Sequence, residues 1–434
     1  MSKPNSTDRA VQMYSWAKDM FPIARSITGS GVRETLAYLS RLLPDIIVHE
    51  VPSGTPAFDW IVPEEWAIRD AFIKNEAGLR TVDFNKNNLH VVGYSEPIDR
   101  MMSFVELDAH LYSLPDQPEA IPYITSYYKR RWGFCLSENQ RNEMRRTPNA
   151  KYHVKIDSAL RSGSLTYGEL ILPGESGKEV LLSTYVCHPS MANNELSGPV
   201  VAAGLAKWLL TKKCRRHTYR ILFIPETIGS IVYLSRHLEH LKAVTIAGFV
   251  LTCLGDDRTY SYLPSRQGDA LADRVAQHVL KYHAPDYKRY SFLDRGSDER
   301  QYCSPGVDLP VCSIMRSKYG EYPEYHTSLD NMNLISPEGL RGGYEAVRKC
   351  LELLEANYVY KTKVNCEPQL GKRGLYPTIS TKDTAVQVRS MMNFIAYADG
   401  ARDLLAIADL IKENAFDLIP IAQTLFDSGL LERQ

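Results

Sequence analysis

From residue 152 to about 358 the chain alternates short apolar runs with amphipathic stretches, and this constrains the fold more than any other feature. VKIDSAL, LTYGELILPGE, EVLLSTYVCH, YRILFIPE, AGFVLTCLG and DLPVCSIMR read as strands, several apolar enough to be buried on both faces. Helical spacing recurs at 199–210, 229–240, 269–282 and 337–358 between them. Strands alternating with helices predict an α/β sheet with helices on both faces. Open sheets of that kind place ligands beyond the carboxyl ends of their strands, so the residues just after each apolar run are the first candidates for chemistry.

The rest of the chain is divided by texture. Helical patterns at 8–20 and 32–43 and a strand at IIVHEVPSG precede a stretch from about 56 to 150 in which Pro115, Pro118 and Pro122 forbid a long helix. Tyr123, Tyr127, Tyr128, Trp132 and Phe134 crowd one part of that stretch, as the core of a small α+β insert or as a substrate-facing wall. A Pro/Gly/Lys-rich linker is expected at 361–380. Three short helical patterns follow it and suggest a helix-turn-helix or winged-helix module. The expected organisation is therefore a main domain in two parts, 1–55 and 151–360, an insert at 56–150, the linker, and a module at 381–434.

Composition narrows the function. Lys+Arg and Asp+Glu both number 51, so the chain lacks the basic excess of a phosphate-neutralising protein, and nucleic acid is not an expected partner. No run of 18 apolar residues points to a membrane span, and MSKPNSTDRAVQ lacks the apolar core of a signal peptide. Eight cysteines, none in a Cys-x-x-Cys pair, argue against a thiolate zinc site and a disulfide scaffold, and a cytoplasmic location is expected.

Three candidate residues follow apolar strands: His188 after LLSTYVC, Glu226 after ILFIP, and His326 in a Tyr-rich loop before the last long helix. A histidine taken alone is more often a core or surface residue than a ligand. Glu226 read alone is a strand-end carboxylate that caps the next helix, and Asp298 is a helix N-cap within GSDERQ.

Their contexts point further. Ala192-Asn193-Asn194-Glu195-Leu196-Ser197-Gly198 resembles the Ala-Asn-Asp-x-x-Ser-Gly turn of the zinc aminopeptidase and glutaminyl cyclase superfamily. Glu226-Thr227-Ile228-Gly229 resembles its Glu-Glu-x-Gly segment, Ser297-Asp298 its Ser-Asp-His stretch, and Tyr325-His326-Thr327 with Asp330 its Tyr-His-Thr-x-x-Asp segment. VPEEW, IDS, CHPS, PETIGS and GDD resemble a narrower branch of uncharacterised aminopeptidase-like proteins with a small inserted domain and a C-terminal winged helix. The resemblance implies a zinc-aminopeptidase-like mixed sheet and a zinc-dependent, metallopeptidase-like hydrolase. It also implies that His188 and His326 ligate metal and that Glu226 is the general base.

It also marks three departures. Asn194 stands where the superfamily has the aspartate that bridges two zincs, Thr227 where it has a glutamate ligand, and Thr252 where it has an aspartate ligand. Two zincs need several carboxylates to offset their charge. The expected cofactor is accordingly about one zinc per chain, on His188, His326 and the amide oxygen of Asn194. Glu195, Asp256, Asp257 and Asp298 are open candidates for a further carboxylate, and Asp298, Tyr325 and Arg295 are weaker candidates for substrate contact.

The leading expectation is a metal-dependent amide hydrolase acting on a small aminoacyl or amino-sugar conjugate in polysaccharide or specialised-metabolite biosynthesis. The alternative is a metal-free aminopeptidase-like scaffold that works as a binding or regulatory protein through its cleft and C-terminal module. Expected partners are a small-molecule or short peptide-like substrate, with a homo-oligomer left open.

Overall fold

The computed structural model describes residues 6–375 and 382–434. Its centre is an eight-stranded mixed sheet in the spatial order 47–52, 164–172, 218–224, 179–185, 245–250, 311–315, 261–263, 288–289. The strands Thr218–Ile224, Glu179–Tyr185, Thr245–Val250 and Val311–Met315 run parallel to their neighbours in that set. Antiparallel strands Ser164–Leu172 and Ser261–Leu263 flank them. Every residue of Glu179–Tyr185 is buried, which is why that run reads as continuous and not alternating.

Glu179–Tyr185 lies between the two strands that follow it in sequence, Thr218–Ile224 on one side and Thr245–Val250 on the other. The chain therefore switches direction across the sheet at this strand, and a crevice opens beyond its carboxyl end. His188, Glu226 and Thr252 each follow one of these three strands by two or three residues. Helix Ser197–Leu210 packs on Glu179–Tyr185, and Ser30–Leu42 packs on Ser164–Leu172. No described helix is long and apolar enough to cross a membrane.

Two expected boundaries move. VKIDSAL belongs to Lys151–Arg161, and that strand does not join the main sheet. It is an inner strand of a four-stranded antiparallel sheet with Arg80–Asp83, Glu65–Lys74 and Ile98–Ser103, so the insert's own sheet runs to 161 and not to 150. Alternating polarity shows that a strand has one buried face but not which sheet buries it. Between the insert's strands, Asn88–His90 forms a 3₁₀ turn, and Val91 and Gly93 make isolated bridges to Phe134 and Thr125. The insert is not a separate globule: Trp66, Tyr94, Phe134 and Tyr152 share one hydrophobic core with Leu181, Tyr185 and Leu222 of the main sheet.

The expected linker begins with structure. Val359–Thr362 is the central strand of a three-stranded antiparallel sheet with Asp399–Asp403 and Leu431–Arg433, and helices Lys382–Tyr397, Leu404–Ile411 and Ala415–Asp427 complete that unit. Residues 376–381 of the linker and module, like 1–5 of the N-terminus, lie outside the described residues. Residues 273–287, expected in the main domain, cluster with 345–434 in a second compact unit. Arg274 makes a bidentate ion pair with Asp403, and His278 accepts from the Ala415 backbone N–H at 2.9 Å.

Candidate functional site

The crevice beyond Glu179–Tyr185 holds a cavity of about 360 Å³ lined by Ile27, Trp60, Tyr123, Thr125, Tyr127, Tyr128, Cys187, His188, Glu226, Thr227, Ile228 and His326. Three residues singled out for chemistry, on three separate stretches of chain, thus face one space. The two imidazole centroids are 5.5 Å apart, and Tyr123 lies 5.1 Å from each.

His188 is buried and held from several directions. Its Nδ1 is 3.0 Å from Glu195 Oε2 and 3.4 Å from Cys187 Sγ, and its Nε2 faces Glu226 Oε2 at 3.5 Å. Its carbonyl accepts from Arg25 Nε at 2.8 Å, and the same guanidinium lies 3.5 Å from Glu195 Oε1. Arg25, Glu195 and His188 form a buried chain in which a cation holds a carboxylate and the carboxylate orients the ring. His326 has a left-handed backbone, φ 56°, its carbonyl accepts from the Tyr123 N–H at 2.8 Å, and its ring stacks on Tyr325 at 3.9 Å. Burial holds both imidazoles neutral, lowered to about 3, with Arg25 adding to the effect at His188 and His188 at His326.

Glu226 sits on the turn between Thr218–Ile224 and helix Ile228–Val244. Its N–H donates to Cys187 Sγ at 3.2 Å. Burial, and then the nearby Asp298 carboxylate, push its pKa above the ordinary carboxylate range. Thr227 follows with φ 63° and ψ −77°, a costly backbone position that persists only where surrounding contacts enforce it. Asp298 supplies that enforcement: its Oδ1 accepts from the Thr227 N–H at 2.7 Å and the Ser230 hydroxyl at 2.9 Å. The expected cap on its own helix, Glu299–Tyr302, is absent; Asp298 satisfies the start of Ile228–Val244 instead.

Other expected site residues stand elsewhere. Arg295 is exposed, stacked over Phe292 at 4.9 Å, and does not line the cavity, so its assignment to substrate contact is corrected. Tyr325 supports the His326 ring. Asp256 is consumed by Asn193 Nδ2 and by the Ser317 N–H and hydroxyl, and Asp257 accepts from the Ser336 hydroxyl. Asp330 gathers the backbone N–H groups of Ala192, Asn193 and Asn194 and the Tyr322 hydroxyl, which shapes the turn after His188.

The three departures from the zinc aminopeptidases have structural counterparts. Tyr185 donates to Asn194 Oδ1 at 3.3 Å, and its hydroxyl lies 2.5 Å from Thr252 Oγ1, which donates to the Asn194 carbonyl at 2.9 Å. Thr227 Oγ1 accepts from Arg300 Nη2 at 2.9 Å. Hydroxyls and a guanidinium occupy positions where a two-ion centre needs carboxylates, so a two-zinc centre does not fit. Asn194 Oδ1 is engaged by Tyr185, which weakens its assignment as a ligand. What remains is a pair of neutral imidazoles and Glu226 lining one cavity. Among the described residues the one tight trio of ligating groups is Cys187, His188 and Glu195, with donor atoms within 4.8 Å of one another. The Arg25 charge on Glu195 makes that trio a poor cation site.

Sequence reasoning missed Arg25, Cys187, Tyr185 and Trp60. Only Cys187 carried a signal, its place beside His188. Of the aromatic cluster, Tyr123, Tyr127 and Tyr128 line the cavity, whereas Phe134 is core and Trp132 stacks on His110 at 3.7 Å.

Comparison with known proteins agrees with this architecture. Residues 14–357 match the profile of a family described as a domain of unknown function (DUF4910), and residues 358–433 match a winged helix-turn-helix family. A protein of Clostridium acetobutylicum named "Putative polysaccharide biosynthesis protein with aminopeptidase-like domain" is 43% identical over 406 residues, 93% of this chain and 92% of its own. A crystal structure of a "putative peptidase" from Clostridium acetobutylicum superposes with TM-score 0.92 at 41% identity, covering 99% of this chain and 98% of that one. A zinc aminopeptidase of Bacillus subtilis shares the fold at TM-score 0.56 and 13% identity, over 80% of this chain and 94% of its own. The chain thus belongs to the DUF4910 family, an aminopeptidase-like scaffold carrying a C-terminal winged helix-turn-helix module.

Proposed function

We propose that this protein hydrolyses an amide bond in a small aminoacyl or amino-sugar conjugate, with one zinc ion held by His188 and His326 and with Glu226 as general base. The observation that carries the reading is the convergence of these three side chains on one cavity, with both imidazoles kept in their neutral, ligating form. When bound, zinc supplies Lewis-acid polarisation of the amide carbonyl and of water. The chain's own residues do the rest. Glu195 and Arg25 orient the His188 ring, and Tyr325 and Tyr123 brace His326. Glu226, its carboxyl pushed up to about 8 by burial and then by Asp298, acts in its ionised form, taking the proton of the attacking water and returning it to the leaving amine. The relative's name, with its polysaccharide biosynthesis and aminopeptidase-like domain, supports a small carbohydrate conjugate over bulk peptide as the substrate class.

One observation favours the second reading, a metal-free binding or regulatory protein: the hydrogen-bonded Tyr185, Asn194 and Thr252 set needs no ion to be satisfied. A panel of N-acylated and N-aminoacylated amino sugars, incubated with metal-stripped and zinc-reconstituted protein, separates the two. The proposed reading expects amine release that returns with about one equivalent of zinc. Release that is absent with zinc, from protein that takes up none, supports the second reading.

A further inference from the structure

The mouth of the cavity is built unlike its floor. Trp60 and Tyr128 line it while remaining 39% and 54% exposed, and Phe58 and Ile61 beside Trp60 are 59% and 56% exposed. The Trp60 and Tyr128 rings meet edge to face with centroids 5.7 Å apart. Trp60 and Ile61 pair with Pro56 and Ala57 in a two-residue antiparallel ribbon. The Tyr128 hydroxyl donates to the Ile61 carbonyl at 3.0 Å, which ties ribbon to insert. Phe58 and Tyr128 both hold left-handed backbones, φ 53° and 61°, conformations that aromatic residues rarely adopt. The chain thus holds Tyr128 strained and half-exposed in the cavity lining, and Phe58 strained and exposed two residues from Trp60, against the tendency of such side chains to be buried.

We propose that Trp60 and Tyr128 form a carbohydrate subsite, seating the pyranose ring of a substrate whose amide reaches His188, His326 and Glu226; this rests on the hydrolase reading above. An apolar amino-acid side chain is best held by an enclosed apolar pocket. A half-exposed rim of two aromatics with polar tips suits a ligand that is itself two-faced. A pyranose has one flat face of C–H groups that stacks on a ring and a rim of hydroxyls that requires polar partners. Those partners line a second cavity of about 180 Å³ that Tyr128 shares, where the exposed ion pair of Arg130 with Glu64 and the Lys129 side chain stand beside Ser126. Tyr128 belongs to both cavities, so the rim it forms with Trp60 adjoins the reacting groups in one and charged, hydrogen-bonding groups in the other.

The test is binding to the full-length protein, read by saturation-transfer NMR without turnover. The sugar probe is methyl N-acetyl-β-glucosaminide and the aminoacyl probe is leucinamide. Saturable sugar binding is expected in wild type, with affinity reduced at least tenfold in Trp60→Ala and in Tyr128→Ala and leucinamide binding unchanged in both. Trp60→Phe and Tyr128→Phe, which keep a ring, are expected to retain most of the affinity and guard against misfolding of the alanine variants. No saturable sugar binding by wild type overturns the proposal, as does undiminished sugar binding by folded alanine variants. Loss of leucinamide binding in place of sugar binding also overturns it, because the rim is then an aminoacyl pocket. Sugar binding with no amine release from any member of the amino-sugar panel, with zinc present, refutes the hydrolase reading and leaves the subsite standing. Hydrolysis of aminoacyl amides without sugar binding does the reverse.

Discussion

His188 and Glu195, seven residues apart, are joined by a contact of 3.0 Å between Nδ1 and a carboxylate oxygen, and the buried Arg25 closes on the other oxygen of the same carboxylate. A carboxylate on the far nitrogen of a ligating histidine sets the ring's orientation, and loss of such a partner typically costs about 10–100-fold in metal affinity or activity. Arg25 also donates to the His188 and Met20 carbonyls. Arg25→Ala removes the cation that opposes the upward push of burial on Glu195, so Glu195 takes up a proton and the His188 and Met20 carbonyls lose their donor, at a cost of about 1–3 kcal/mol for each buried group left unsatisfied. Denaturant titration of the variant checks the prediction, and a midpoint equal to wild type contradicts it.

Zinc content is expected to approach one equivalent per chain. His326→Ala should lower it while the melting transition survives, because the ring lines a cavity and does not fill the core. Elemental analysis of both proteins after zinc incubation and desalting decides the matter. Two equivalents in wild type contradict the incompatibility argued from Asn194, Thr227 and Thr252.

Glu226→Gln should reduce amide hydrolysis by about a hundred- to ten-thousand-fold, the usual contribution of a general acid–base group. The amide keeps the size of the side chain but does not accept the proton. Zinc content and the melting curve should be unchanged. Asp298 leaves room for partial rescue, because only one of its oxygens is committed to Thr227 and Ser230. Wild-type turnover by the variant makes Glu226 a structural carboxylate.

The C-terminal unit should lose stability in acid through Asp403. This side chain caps helix Leu404–Ile411 by accepting from the Ala406 N–H, and it binds Arg274 through both oxygens. These contacts hold its pKa below the ordinary aspartate value of 3.8 against the opposing effect of burial. A depressed folded-state pKa stabilises fully above the unfolded value, and the benefit disappears as pH falls through the folded one. Asp403→Asn, which keeps a capping oxygen, should flatten the pH dependence of unfolding below about pH 4. Asp403→Ala should cost about 1–2 kcal/mol near neutrality through loss of the cap.

The winged-helix unit is predicted not to read DNA sequence. Its third helix, Ala415–Asp427, carries Asp417 and Asp427 and no lysine or arginine, the residues that meet phosphates and guanine edges. Fluorescence anisotropy with labelled duplex DNA and the full-length chain should show no submicromolar binding at physiological salt.

How far the sequence reached is clearest residue by residue. The alternation of buried strands and amphipathic helices was enough to show an α/β sheet and to place His188 and Glu226 at strand ends, because periodicity and burial are local properties that each segment carries itself. The motif resemblance gave His326, already a candidate by its loop before the last long helix, a role as ligand, and marked Asn194, Thr227 and Thr252 as departures. What the sequence could not show is what replaces the missing carboxylates. Arg300 reaches Thr227, Arg25 reaches His188 and Thr252 reaches Tyr185 from distant parts of the chain, and side-chain contact across such separations leaves no local pattern. Lys151–Arg161 makes the same point for the fold: its alternation announced a strand, but pairing is decided by which edge is free once the sheets have assembled. The rim of Trp60 and Tyr128 is likewise tertiary: the sequence left Tyr128 open between core and substrate-facing wall and carried no sign of Trp60, and only the folded chain brings the two rings together half-exposed in one cavity lining.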